Sequence, residues 1–335
     1  MTELRVVAPD GIGEVRTGDD LAALLVDRLA EGLTDGPADG LADGLADGLA
    51  DGDVVLVTSK VVSKAEGRVV RGTRDELLPA ETARLVASRG PTRIVRTRQG
   101  LTLAAAGIDA SNVEPGRVVL LPVDPDASAR AIRSRLRELT GRNVAVVVTD
   151  TAGRAWREGQ TDLAVGAAGL RVLEDFAGRR DDYGNDLVVT APAVADELAG
   201  AAELAQGKLG GRPFAVIRGR ADLVLPPEDD GPGAVALVRP DGADLFGYGA
   251  REAVLRALLG DPDDAAAFGA PSEVTELVEV VARVGGTARV DDDAVVVSGD
   301  VSPDSLQALA FAHGWLVDVP DAGEGVRLRP RRTSP

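Results

Sequence analysis

Leu21, Leu24, Leu25 and Leu29 recur at helical spacing and predict a helix over about residues 19–31. The same periodicity appears in residues 126–140, at Ala129, Ile132, Leu136 and Leu139, and a helical stretch is expected around residues 80–89. Pro192 to Gln206 predicts a further helix, with Thr190 able to cap it, Pro192 suited to its first turn, and Asp196 and Glu197 near its positive end. Between these segments lie short apolar runs, Val54–Val57, Arg117–Val123, Val144–Val148 and Phe214–Ile217, which predict buried strands. Helices and strands interleave, so the fold class is α/β or mixed α+β, with the strand order left open by the pattern. Pro226–Gly233 is turn-rich and reads as a loop. Residues 261–271 read as a linker, and a small α/β unit follows. In it Val274, Leu277, Val278 and Val281 mark a helix, Ala294–Val297 a strand, Pro303–His313 a second helix and Val326–Leu328 a last strand.

Residues 34–53 interrupt this pattern with a recurring Leu-Ala-Asp-Gly tetrapeptide, its leucines at Leu41, Leu45 and Leu49. A period of four suits a helix, but each repeat carries a glycine that costs about 1 kcal/mol of helix stability. The repeat is also far shorter than the roughly 20–50 residues of a solenoid unit. The segment is expected to be a weakly ordered connector with no chemistry of its own.

Composition narrows the function. The chain has 335 residues, enough for one large domain or two ordinary ones. Acids outnumber bases 54 to 37, for a net charge of −17, which argues against nucleic acid or an anionic membrane as a partner. There is no cysteine and one histidine, which removes disulfide frameworks, thiolate zinc sites, cysteine nucleophiles and multi-histidine metal sites. That histidine, His313, reads as the end of a helix, held by the negative dipole end. No basic leader or long apolar run is visible, so a cytoplasmic protein is expected. Any metal must be held mainly by oxygen, which suits magnesium or manganese.

The polar residues gather at strand ends, where sheets flanked by helices commonly hold ligands. Thr58-Ser59-Lys60-Val61-Val62-Ser63-Lys64 follows the first buried strand with two lysines and two serines suited to phosphate, although a solvated turn reads the same way. In Gly107-Ile108-Asp109-Ala110-Ser111-Asn112, Asp109 is a candidate hard-metal ligand and Asn112 a nucleotide contact; an Asx turn is the plainer alternative. Asp150-Thr151 ends another strand with two hard oxygen donors, and Arg154, Arg157 and Glu158 follow among glycines. Arginine forks there could grip phosphate or carboxylate beside a cation. Lys208, after Gly207, is a helix-terminating residue or a phosphate ligand.

Taken together, Asp53–Gly67, Gly107–Val113, Thr149–Gly166 and Ala195–Lys208 resemble, in order, the motifs of the F420 γ-glutamyl ligases, the coenzyme F420-0:L-glutamate ligase family. The resemblance covers about residues 4–250. It implies a GTP-dependent amide ligase requiring Mg²⁺ or Mn²⁺, with K⁺ a further candidate, that attaches L-glutamate to F420-0 and extends a γ-linked tail. It also implies a two-part α/β fold and an intertwined homodimer. By position, Ile12, Gly13, Glu14, Val15, Ser59, Lys64 and Asn112 match nucleotide-binding residues, and Asp109, Asp150 and Thr151 match metal-binding ones. Lys208 falls in the nucleotide- and metal-binding stretch, where some members carry glutamine or glutamate. Gly13 stands where a proline is expected.

On this reading residues 1–250 form the catalytic domain, 251–271 a helix and linker, and 272–335 a small unit of unassigned role. That unit is too short for the flavin-binding, nitroreductase-like domain of some relatives, so no flavin is expected. The implied chemistry is phosphoryl transfer from GTP to a carboxylate, followed by attack of the glutamate amine on the acyl phosphate. Ser59, Lys64 and Lys208 would hold phosphates, Arg154 and Arg157 would position a carboxylate, and Glu158 is the candidate base. A ligase for another carboxylate acceptor and a non-catalytic GTP-binding regulator are the alternatives.

Overall fold

A computed structural model describes residues 3–34, 45, 48–240, 243–244, 246–318 and 325–331. The chain divides into two compact units, Met1–Leu85 with Ile94–Val238, and Val86–Arg93 with Arg239–Pro335.

In chain order the first unit holds β1 (Arg5–Val7), α1 (Leu21–Thr34), β2 (Val54–Thr58), α2 (Ser59–Ala65), β3 (Val69–Arg71) and α3 (Arg74–Glu81). Next come β4 (Thr82–Arg89) and β5 (Thr92–Thr97), whose shared stretch Val86–Arg93 belongs to the second unit, then β6 (Thr102–Ala104), β7 (Arg117–Val119), α4 (Pro125–Thr140), β8 (Ala145–Arg154) and β9 (Arg157–Ala168). The short strands β10 (Arg179–Arg180) and β11 (Asp186–Leu187), then α5 (Val194–Gln206) and β12 (Phe214–Arg218), complete it. The central sheet runs β1-β12-β2-β8-β9. Only β2 and β8 are parallel neighbours; the other pairs are antiparallel.

The unbroken apolar runs follow from this sheet being covered on both faces. Val55 and Val57 of β2, with Val146 and Val148 of β8, pack with Leu21, Leu25 and Leu29 of α1 and Ile132 and Leu136 of α4. The alternate residues Val54, Leu56, Ala145 and Val147 pack with Leu198, Ala199 and Ala202 of α5 on the other face. β9 lies so close to the start of α4 that a Cβ on Gly166 would come 2.3 Å from the Pro125 carbonyl oxygen. Beside the main sheet, β3 and β7 form a two-stranded ladder, and β4, β5 and β6 form a three-stranded meander.

At the end where β2 begins, Asp53 is 1% exposed, and its two carboxylate oxygens each accept from Arg218 at 2.8 Å. Arg218 also donates to the Gly48 carbonyl. Residues 35–44, 46 and 47 of the tetrapeptide tract lie outside the described residues. Leu45 and Leu49 are buried in the main core, so the end of the tract is structural.

Two local expectations change. Residues 82–89 are a strand, not a helix: Thr82, Arg84 and Val86 are half-buried and alternate with exposed neighbours, the period of a pleated ribbon. The helix expected from Pro192 starts at Val194 with Ala193 as its cap residue, and no side chain caps it, so Thr190 does not take that role.

In the second unit lie α6 (Ala250–Leu259), α7 (Val274–Arg283), β13 (Gly286–Asp291), β14 (Ala294–Gly299), α8 (Pro303–Ala312), β15 (Trp315–Asp318) and β16 (Val326–Pro330). From α7 on it is an α-β-β motif made twice. The sheet order β13-β14-β16-β15 joins the two copies through their second strands. Leu277, Val281, Leu306 and Ala310 of the helices bury Val295, Val297, Trp315 and Leu328. His313 caps α8, with Nδ1 2.9 Å from the Leu309 carbonyl, as the sequence suggests. Among the described residues no helix is long and apolar enough to cross a membrane.

Candidate active site

Because β2 and β8 are parallel, both leave the sheet at the same end, with Thr58 paired to Thr149. Ser59-Lys60 and Asp150-Thr151 therefore emerge side by side. β9 returns antiparallel to β8 and sets Asp162 opposite Thr151. β12 pairs Phe214 with Val57, so the Gly207–Pro213 segment after α5 enters the sheet at this end too. A cleft of about 980 Å³ opens there, lined entirely by residues of the first unit between Ile12 and Pro213.

The Ser59 hydroxyl donates to Asp150 Oδ1 at 2.8 Å. Burial, moderated by that bond, and the nearby carboxylates Asp162 and Asp109 push the Asp150 carboxyl up to about 7. Asp109 reaches the cleft from a bridge to Val119, where each backbone N–H donates to the other's carbonyl. Its carboxylate accepts from the Ser111 N–H at 2.7 Å, the Ser111 hydroxyl at 2.9 Å and, as an ion pair, Lys60 at 2.7 Å. Burial raises its pKa, but the bonds from Lys60 and Ser111 outweigh it and hold Asp109 below the ordinary carboxylate value. The turn leading to Asp109 has left-handed backbone at Ala105 (φ 49°), Ala106 (φ 55°) and Gly107 (φ 70°). Such a run costs L-residues conformational energy, a strain that clusters at functional sites.

On the other side of Asp150, the Thr151 hydroxyl donates to Asp162 Oδ1 at 2.6 Å and accepts from Lys208 Nζ at 2.8 Å. Lys208 Nζ also contacts the Glu203 carboxylate and lies 3.6 Å from Asp162 Oδ1. Burial pulls the Lys208 pKa down, but the bond to Glu203 and the charge of Asp162 more than offset it, and the pKa is raised. Gln206 is 3% exposed, and neither polar atom of its amide has a partner.

Of the residues singled out from sequence, Ile12, Gly13, Glu14, Val15, Ser59, Lys64, Asn112, Lys208, Asp109, Asp150 and Thr151 all line this one cleft. Arg154, Arg157 and Glu158 do not. They sit at the exposed end of the β8–β9 hairpin, where Arg154 makes one long bond, 3.4 Å, to the Glu158 carbonyl. Sequence reasoning did not single out Asp162, Glu203 or Gln206, and it read Lys60 with Lys64 as suited to phosphate, whereas Lys60 pairs with Asp109. Asp162 is folded back against Thr151 by a two-residue turn at 155–156, a pairing that the sequence pattern does not mark.

The donor set suits a hard cation. Asp150 is a buried carboxylate with two acidic neighbours and no ion-pair partner among the described residues, a charge imbalance that a divalent ion on Asp109 and Asp150 would relieve. Among the described residues no group of three or more acids or histidines forms a complete cage. Lys60, Lys64, Arg74 and Arg212 line the same cleft and can meet an anion, despite the acidic balance of the whole chain.

Comparison with known proteins gives a consistent picture. The family model described as F420-0:Gamma-glutamyl ligase matches residues 11–90 and 76–219. The chain is similar to the protein named coenzyme F420:L-glutamate ligase of Methanopyrus kandleri, with 41% identity over 262 residues, 70% of this chain and 93% of the relative. It is 38% identical to the protein of that name from Archaeoglobus fulgidus over 238 residues, 64% of this chain and 88% of the relative. The one from Methanothermobacter thermautotrophicus is 38% identical over 266 residues, 72% of this chain and 98% of the relative.

Proposed function

We propose, on the premise that this chain belongs to the F420-0:gamma-glutamyl ligase family, that it attaches L-glutamate to coenzyme F420-0 at the expense of GTP and extends a γ-linked glutamyl tail. The observation that carries this reading is the joint exit of β2 and β8. It brings Ser59, Asp150 and Thr151 together with Asp109 in a cleft that basic side chains also line.

A carboxylate is a poor acyl donor because its leaving group is oxide. Phosphoryl transfer from GTP to the F420-0 carboxylate breaks the bond to the terminal phosphorus and releases GDP. It leaves an acyl phosphate, the better donor. The glutamate amine, having lost a proton, then forms the amide bond, and inorganic phosphate departs with the electron pair of the carbon–oxygen bond. Asp109 and Asp150 would hold a divalent ion, which when bound supplies charge neutralisation for the phosphate oxygens. Ser59 orients Asp150 through its 2.8 Å bond, and Lys60 holds Asp109 ionised through their ion pair. Lys64, Arg74 and Arg212 supply positive charge along the cleft for the phosphate and carboxylate groups of the substrates. Arg154, Arg157 and Glu158 lie away from the cleft lining, so the anion-holding roles fall to these residues instead.

The test is incubation of the protein with F420-0, L-glutamate, GTP and Mg²⁺ or Mn²⁺, followed by product mass. The expected result is F420-0 heavier by one or more glutamyl residues, with GDP and phosphate released in proportion. Unchanged F420-0 with GTP intact under both metals would overturn the proposal.

A further inference from the structure

Thr151 Oγ1, Asp162 Oδ1 and the Glu203 carboxylate face one point from three elements, β8, β9 and α5. Hard oxygens converging in this way form the donor set that a small divalent cation takes. The point is filled by an ammonium group. Lys208 Nζ sits 2.8 Å from Thr151 Oγ1 and 3.6 Å from Asp162 Oδ1, in contact with Glu203. The lysine side chain is 57% exposed while that of Asp162 is 6% exposed, so the stem runs in from solvent and the charged head is delivered to a buried acid. The Thr151 hydroxyl is committed on both sides, its proton to Asp162 and a lone pair to Lys208. A metal ion at this point would compete with one ammonium for all three donors, whereas at the other point Lys60 pairs with Asp109 alone and Asp150 accepts from the neutral Ser59 hydroxyl.

We propose that Lys208 is a built-in cation that takes the place of a divalent ion at Thr151, Asp162 and Glu203, so that the chain binds one divalent ion rather than two. The inference rests on reading the cleft as a metal and phosphate site, with the one ion at Asp109 and Asp150. A tethered ammonium differs from a metal ion in three respects. It carries one charge, it donates hydrogen bonds instead of accepting lone pairs, and it cannot be diluted away or leave with a product. An anion entering the cleft meets at this side an ammonium already paired with Glu203 and Asp162, and a metal-dependent centre at the other. Thr151, matched to a metal position by sequence, is on this reading a hydrogen-bonding residue that fixes Lys208.

The experiment counts Mn²⁺ bound per chain, with Mn²⁺ as the only added ligand, from the electron paramagnetic resonance signal of the free ion during titration of the full chain. The wild-type protein is expected to saturate at one ion, Lys208→Gln at two, and Lys208→Arg at one. Wild-type saturation at two, or no extra ion in a folded Lys208→Gln protein, overturns the proposal. Should Lys208→Gln fail to fold, Lys208→Met supplies the same comparison and the wild-type count still decides. Adding Asp109→Asn to Lys208→Gln separates the two readings, because it should remove one ion and leave the other. A wild type that binds none beside a Lys208→Gln protein that binds one would support the role of Lys208 while sinking the Asp109–Asp150 site.

Discussion

Burial and two neighbouring carboxylates hold the Asp150 proton in the metal-free fold up to about pH 7, against an ordinary value of 3.8. A folded pKa above the unfolded one means that this group's contribution to stability is complete below about pH 4 and is lost as the pH rises through about 7. At about 1.4 kcal/mol per unit, the loss amounts to a few kcal/mol. The metal-free wild type should therefore melt at a lower temperature at pH 8 than at pH 5. Asp150→Asn should flatten that slope, and Mn²⁺ should stabilise the wild type more at pH 8 than at pH 5. Melting curves at the two pH values check all three, and an unchanged slope in Asp150→Asn would remove Asp150 as its source. The same variant should lose glutamyl transfer by at least about 100-fold, as expected when a group that organises transition-state charge is removed. At this scale the sequence was informative where polar residues follow an apolar run, as Asp150 and Thr151 do after Ala145–Val148, within the same strand. It was silent on Glu203, because nothing local separates an acid on a helix from ordinary surface charge, and it did not show that Lys60 pairs with Asp109.

The hairpin of β8 and β9 splits into two regimes. Its sheet end is packed so closely that Gly166 has no room for a Cβ against Pro125, while Arg154 and Arg157 at its tip face solvent. Gly166→Ala should cost about 1–3 kcal/mol, through displacement of β9 from α4, read as a lower urea midpoint. Arg154→Ala with Arg157→Ala should leave Mn²⁺ binding by the cleft unchanged within twofold. A loss of metal binding would instead bring the tip into the site. The strands that sequence patterning located, β2, β8 and β12, are those built on an unbroken apolar run, Val54–Val57, Ala145–Val148 and Phe214–Ile217. β9 escaped it because Arg157 to Gln160 are exposed and polar and the buried part, Asp162 and Val165 aside, is alanine and glycine, which carry little periodic signal. Strand order escaped too, since pairing such as Thr58 with Thr149 is a long-range choice that neither segment encodes alone.

Every residue lining the cleft lies between Ile12 and Pro213, within the first unit. A chain ending after Val238 should therefore keep the Mn²⁺ stoichiometry of the full protein. Loss of binding on truncation would show that the second unit supports the site. That unit has its own constraint: its α-β-β copies meet through β14 and β16, so each copy owes its sheet partner to the other. The first unit is polarised as well. Chemistry-bearing loops leave one pole of the central sheet, while the tetrapeptide tract joins β2 at the opposite pole, where Arg218 clasps Asp53 and Gly48. Slack introduced upstream is arrested at that clasp before it reaches the strand, so this is where the molecule can tolerate a stretch of expanding sequence without retuning the distant pole.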